Sequence, residues 1–274
     1  MKRFAYYALV AGVISVLSSC SGGKKDSSDE HFQKGNDFIY KSDFANAQKE
    51  YEKAIESNKN NTRALYALAT VFELQGELGK SLEYYKALLE ADSTFALGYF
   101  GRANVEQAIG LKPEFQKDID KAIHFKPDFF MALLSRSRAK LGTNNYVDAK
   151  ADLDAAINIK PTYVMLYEMR GTAKMKLNDV DGAIADFTQQ IKLDSNAIAG
   201  YANRSVAYDV ANKDSLAIKD ISRALKSDPM WGQGYIYRAM FKHKIKDNDA
   251  CHDLAIAKTM RLPMAEQYIK EYCK

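Results

Sequence analysis

The stretch "RGTAKMKLNDVDGAIADF", Arg170 to Phe187, decides how this chain is read. It runs from one amphipathic helical pattern, through the turn-forming "NDVDG", into a second. An Arg stands near its start and an Asp near its end. Moving the window by 34 residues in either direction finds the pair again, as Arg136 with Asp152 and as Arg204 with Asp220. A fixed period of that length marks a structural repeat, so the chain is read as an array first.

A 34-residue frame opened at Ser28 has later starts at Thr62, Ala96, Phe130, Val164, Ile198 and Gly232. Its eighth place holds Gly35, Ala69, Ala103, Ser137, Gly171, Ser205 and Ala239, all small. Its fourth holds His31, Leu65, Tyr99, Leu133, Tyr167, Tyr201 and Tyr235, mostly large. Its twenty-fourth holds Tyr51, Tyr85, Ile119, Leu153, Phe187, Ile221 and, after a one-residue deletion, Leu254. Small residues let antiparallel helices approach closely, and large ones fill the space between adjacent pairs. Pro127, Pro161 and Pro229 share the thirty-second place, where a helix must end before the next unit begins.

A 34-residue helix–turn–helix unit resembles the tetratricopeptide repeat (TPR). The resemblance implies an all-α fold: a right-handed superhelix, or α-solenoid, of seven repeats over residues 28–261, with a capping helix at 262–274. Two departures carry expectations of their own. Phe115 occupies place twenty, where a small residue is expected, with Pro113 just before it; this predicts a distorted turn in the third unit. Leu88 and Gln190 occupy place twenty-seven, which elsewhere holds Ala54, Ala122, Ala156 and Ala224, and predict slightly wider packing.

Place seven holds Arg102, Arg136, Arg170, Arg204 and Arg238, and place twenty-three holds Asp118, Asp152, Asp186, Asp220 and, after the deletion, Asp253. Unit one carries Lys34 with Glu50, which keeps the charges. Unit two carries Leu68 with Tyr84, so both charges vanish together. Joint change within a unit points to contact between its two helices rather than with the next unit. Pairs spread evenly along an array do not converge on a substrate, so the expectation is a structural ladder of Arg forks on carboxylates.

The totals fit a folded protein, with 47% hydrophobic and 27% charged residues. A net charge of +4 with no basic block gives no case for nucleic acid. The first residues, "MKRFAYYALVAGVISVLSSC", join two cations to a short apolar core and end in small residues before Cys20. That pattern reads as a signal peptide over 1–19, too short for a comfortable membrane span. Leu17-Ser18-Ser19-Cys20 resembles the lipobox of bacterial lipoproteins. The resemblance implies acylation of Cys20, a flexible tether over 20–27, and residence in the cell envelope. Ser21 is compatible with the outer membrane, on its periplasmic or surface face. Two or more acyl chains anchor stably, so the membrane is an expected partner through lipid alone.

With Cys20 assigned to lipid, Cys251 and Cys273 remain, and an even remainder in an exported protein suggests a disulfide. It would staple the capping segment "PMAEQYIKEYCK" to the last unit. The alternative ligand set of His243, Cys251, His252 and Cys273 matches no familiar zinc spacing, so no metal or cofactor is expected. No Walker loop, GxGxxG fingerprint or nucleophile–base constellation stands out, which leaves a non-catalytic role with no small-molecule substrate.

The family resemblance implies that the first helix of each unit lines a concave groove through places two, five, nine, twelve and thirteen. Those places give Phe32, Asn36 and Tyr40, then Tyr66 and Thr70, then Phe100 and Asn104. Leu134, Arg138, Glu168, Thr172 and Met175 follow, with Met131 and Met165 nearby; Ala202, Val206, Ile236, Met240 and His243 finish the row. Such a surface suits an extended peptide or a partner helix. The Lys–Asn cluster that grips a C-terminal carboxylate in some relatives is not matched, because Phe32 and Phe100 precede Asn36 and Asn104 where a Lys would stand. The expected function is a protein-binding scaffold. An accessory subunit of an outer-membrane assembly or secretion machine is the alternative, and an envelope enzyme or metal protein using the last unit is a third.

Overall fold

The structure is a computed structural model that describes residues 26–273. The expected signal peptide at 1–19, the acylated Cys20 and most of the tether lie outside the described residues. Among the described residues there are fifteen helices and no strand. They are α1 Ser27–Tyr40, α2 Phe44–Ser57, α3 Thr62–Gln75, α4 Leu78–Ala91, α5 Ala96–Ala108, α6 Lys112–Phe125, α7 Phe130–Gly142 and α8 Tyr146–Ile159. Then come α9 Val164–Lys176, α10 Val180–Leu193, α11 Ile198–Val210, α12 Asp214–Ser227, α13 Gly232–Lys244, α14 Ala250–Thr259 and α15 Pro263–Tyr272. No helix among the described residues is long and apolar enough to cross a membrane.

The chain divides into two compact units, one ending at Ala132 and one spanning Leu133–Lys274. In the first, α1 to α6 form three helix pairs, each packed on the next. Tyr51, Leu68 and Phe32 are fully buried there, and Tyr85 with Leu88 continues the core toward Val105. In the second unit, α9 to α14 pair in the same way. Phe187 packs with Ala183 and Ala207, and Ile221 with Phe241. The last helix, α15, lays Ala265 onto Ile236 and Ala257, closing the apolar face of α13 and α14.

Each pair is built on one turn. The backbone is left-handed at Ser42, Gly76, Gly110, Asn144, Asn178, Asn212 and Lys246, which all fall on place fifteen. The following N–H donates to the carbonyl five residues back in every case, from Asp43 to Phe38, Leu111 to Glu106 and Asp179 to Lys174, for example, at 2.8–2.9 Å. This is the Schellman closure that satisfies the open carbonyls of a helix end. The third turn, expected to be distorted, is the same as the rest: Gly110 takes φ +83° without a Cβ penalty, and Pro113 sits in the first turn of α6, where it costs no hydrogen bond. Phe115 is simply buried.

The wider packing expected beside Leu88 and Gln190 is also corrected. Gly98 and Gly200 face them from the next pair; a Cβ on Gly98 would lie 2.6 Å from Leu88 Cδ2. The missing side chain takes up the added volume.

Candidate partner-binding face

Behind any binding face stands the ladder. Arg102, Arg136, Arg170, Arg204 and Arg238 each fork their own pair's aspartate through Nε and Nη2, at 2.5–2.9 Å. The aspartates are buried and the guanidinium groups half-buried. Hydrogen bonds donated to Asp118, Asp220 and Asp253 hold Arg102, Arg204 and Arg238 above the usual arginine range. Burial works against the charge of Arg170, yet Asp186 and Asp154 together push it up. Four of the arginines also lie over a tyrosine three residues earlier, as Arg170 does over Tyr167 at 5.7 Å.

The structure adds to the ladder as read from sequence. The third nitrogen, Nη1, reaches the preceding pair: Arg170 to Asp154 at 2.7 Å, Arg204 to Thr188 Oγ1 at 3.0 Å, Arg238 to Ser222 Oγ at 3.2 Å. These acceptors share place twenty-five, so the arginine joins neighbouring pairs as well as the two helices of its own. In the first pair the expected Lys34–Glu50 contact is replaced. Glu50 takes His31 at 2.7 Å and Lys53 at 2.6 Å, while Lys34 is exposed. In the second pair Tyr84, freed of any charge partner, stacks on Phe72.

The expected groove residues separate into two groups. In the first unit Phe32, Asn36, Tyr66 and Thr70 are buried and are not open to a partner. Tyr51 donates its hydroxyl hydrogen to Asn36 Oδ1 at 2.8 Å, Arg63 covers Phe32, and Tyr66 meets the edges of Tyr85 and Phe95. Thr70 donates to the Tyr66 carbonyl. Phe32 and Tyr66 pack on the next pair through Arg63 and Phe95, and Asn36 and Thr70 are closed within their own, so the groove expectation is corrected there. Leu134 and Ile236 are buried too, the latter under α15. Phe100 and Asn104 are half-buried, with Phe100 against Phe129.

The second unit keeps an open row. Met165 is 43% exposed, Val206 36% and Val210 50%. Arg138 and Thr172 are exposed among them, with Glu168, Met175 and Met240 half-buried. Arg138 Nη2 donates to Met165 Sδ at 3.0 Å, which sets α7 and α9 side by side along this row. Glu168 accepts from Gln190 at 3.0 Å.

At the far end, the Sγ atoms of Cys251 and Cys273 lie 2.14 Å apart with Cα atoms 5.7 Å apart, well placed for a bridge. His243 lies flat on Tyr272 with ring centroids 3.8 Å apart, and lines one surface cavity with Cys251, Tyr272 and Cys273. Among the described residues no three His, Cys, Asp or Glu side chains gather as a metal site.

Two stretches of the chain, residues 32–94 and 166–196, match family models described as tetratricopeptide repeat. Those two stretches are tetratricopeptide repeats. The TPR fold is shared with solved structures at low identity. YrrB, a TPR protein with an unusual peptide-binding site, aligns with a TM-score of 0.63 at 20% identity over 67% of this chain and 95% of its own. A TPR protein from Parabacteroides merdae gives 0.57 at 20% identity, over 90% and 99%. Part of a TPR protein from Cytophaga hutchinsonii gives 0.63 at 16%, over 84% and 93%. At these identities the likeness is one of fold. By sequence, Hsp70-Hsp90 organizing protein 3 of Arabidopsis thaliana is 30% identical over 95 residues, 35% of this chain. The chain spans 16% of that relative's length.

Proposed function

We propose that this TPR chain is a non-catalytic scaffold of the bacterial envelope, anchored by lipid at Cys20, that holds an extended segment or helix of a protein partner. The observation that carries the reading is the open apolar row of the second unit, Met165 on α9 with Val206 and Val210 on α11, two first helices that touch. Contiguous exposed apolar side chains on a regular scaffold mark interaction surfaces, and Met adapts to varied partners. The likeness to a chaperone organizer supports the scaffold class and leaves the partner open.

The reading includes a disulfide between Cys251 and Cys273, which fixes α15 over the last pair and suits an exported protein. Crosslinking of the anchored chain in its own cells tests the whole. Met165→Asp with Val206→Asp is expected to remove the attached protein while leaving the helical circular dichroism unchanged. An unchanged crosslinking pattern in that double variant overturns the proposed face. Cys20→Ala is expected to move the chain out of the membrane fraction, and retention there overturns the anchor.

A further inference from the structure

Place eleven of the frame holds a lysine in three pairs, and each reaches its own pair's ladder aspartate. Lys140 meets Asp152 at 3.0 Å, Lys174 meets Asp186 at 2.9 Å, and Lys242 meets Asp253 at 2.9 Å. The third pair puts Glu106 at that place. Glu106 is buried, its Oε1 is 3.8 Å from Arg102 Nε, and its Oε2 has no hydrogen-bond partner. Arg102 is already committed to Asp118 through two bonds of 2.5 and 2.8 Å. Two buried carboxylates therefore share one guanidinium, where the three lysine-bearing pairs set two cations on one carboxylate. A second ionised carboxylate in such a place is unfavourable unless it takes a proton.

We propose that the α5–α6 pair is a proton-gated joint, closed like its neighbours when Glu106 carries a proton and loosened when Glu106 is ionised.

The charged groups around it are few. Arg102 stands on its own helix, and Glu114, Lys117 and Asp118 face it from α6. On α4, the other helix packed on α5, the charged side chains are Lys80, Glu83, Lys86 and Glu90; Lys80 is paired with Glu77 and Lys86 with Glu90. α3 touches α5 and brings Arg63, paired with Asp29, and Glu73, which accepts from Tyr85. Burial first, then the charges of Asp118 and Glu114, push the Glu106 carboxyl up to about 7 from an ordinary 4.5, against the pull of Arg102 and Lys117. A raised acid binds more protons folded than unfolded between those two values. The stability it leaves in place is complete below about 4.5 and is lost as pH rises through about 7. Because α5 also carries Phe100 and Asn104, the same proton sets how firmly that stretch of surface is held.

Hydrogen exchange in the full chain at pH 5.5 and 7.5, corrected for the intrinsic pH dependence of exchange, reads the joint. In the wild type, α6 amides are expected to lose about tenfold in protection relative to those of α10. Glu106→Gln is neutral at both pH values and is expected to abolish that relative loss. Glu106→Lys, which puts an ammonium where Lys140 and Lys174 stand, is expected to do the same. The His31–Glu50 pair belongs to α1 and α2 and is unchanged in these variants. No relative loss in the wild type, or an equal loss in Glu106→Gln, overturns the proposal.

Discussion

Arg170 illustrates how much one side chain does. Two of its nitrogens hold Asp186 and the third holds Asp154, so one guanidinium fixes both the spacing within a pair and the approach of its neighbour. Removing the buried partner leaves Arg170 with Asp154 alone and Lys174 with no carboxylate, only the Gly182 carbonyl. Asp186→Ala is therefore expected to cost about 3 kcal/mol in urea unfolding. Gly171, next in sequence, sits where a Cβ would lie 2.6 Å from Phe187 Cε1, so Gly171→Ala is expected to cost about 1–3 kcal/mol in the same assay. The fork was legible in the sequence because Arg and Asp recur unchanged. The third bond was not, because its acceptors are Asp154, Thr188 and Ser222, three residue types sharing only an oxygen. The error at Lys34 has a similar cause. Counting places does not reveal that His31, one turn earlier, reaches Glu50 first.

At the scale of elements, the turn at place fifteen is the constant. Its left-handed backbone costs an ordinary L-residue about 1–2 kcal/mol, and Gly or Asn much less. Five of the seven turns use Gly or Asn; Ser42 and Lys246 do not. Lys246→Gly, at φ 59°, is expected to raise stability by about 0.5–1 kcal/mol, read as a later melt of α13 and α14. Asn178→Ala should lower it by about 1 kcal/mol. The helices were legible because apolar stripes, turn residues and Pro at place thirty-two agree with one another. The groove was not legible in the first unit. A face lined by Phe32 and Tyr66 looks the same in sequence whether it awaits a partner or packs on the next pair. Only the positions of Arg63, Tyr85 and Phe95 decide between them. The same limit hid the role of Gly98, since a glycine in a helix reads as a weakness until the Leu88 side chain is seen beside it.

At the scale of the molecule, stability is a sum over pairs and their contacts with neighbours, so a local change is felt locally. Replacing Cys251 and Cys273 with Ser is expected to lower the protection of α13 to α15 amides, equivalent to about 3 kcal/mol for a loop of this size, with α9 and α10 unaffected. Equal protection in the variant and the parent would show that the two sulfurs do not bridge. That the last pair was shortened by one residue was visible in the sequence, and Arg238 meets Asp253 across 15 positions where the other arginines span 16. The expectation of a bridge between Cys251 and Cys273, 22 positions apart, rested on counting cysteines, an argument about compartment rather than shape.

The acceptor at place twenty-five has a consequence for how such a chain can change length. Arg170, Arg204 and Arg238 each need only an oxygen from the pair that precedes them, and Asp154, Thr188 and Ser222 supply it. If recombination removed residues 164–197, Arg204 would arrive opposite Asp154 with its own Asp220 still in hand. The joint left behind would resemble one that already exists, between Arg170 and Asp154. An array latched in this way can gain or lose a whole period without inventing a new interface, and the surface presented to partners lengthens or shortens by the same step.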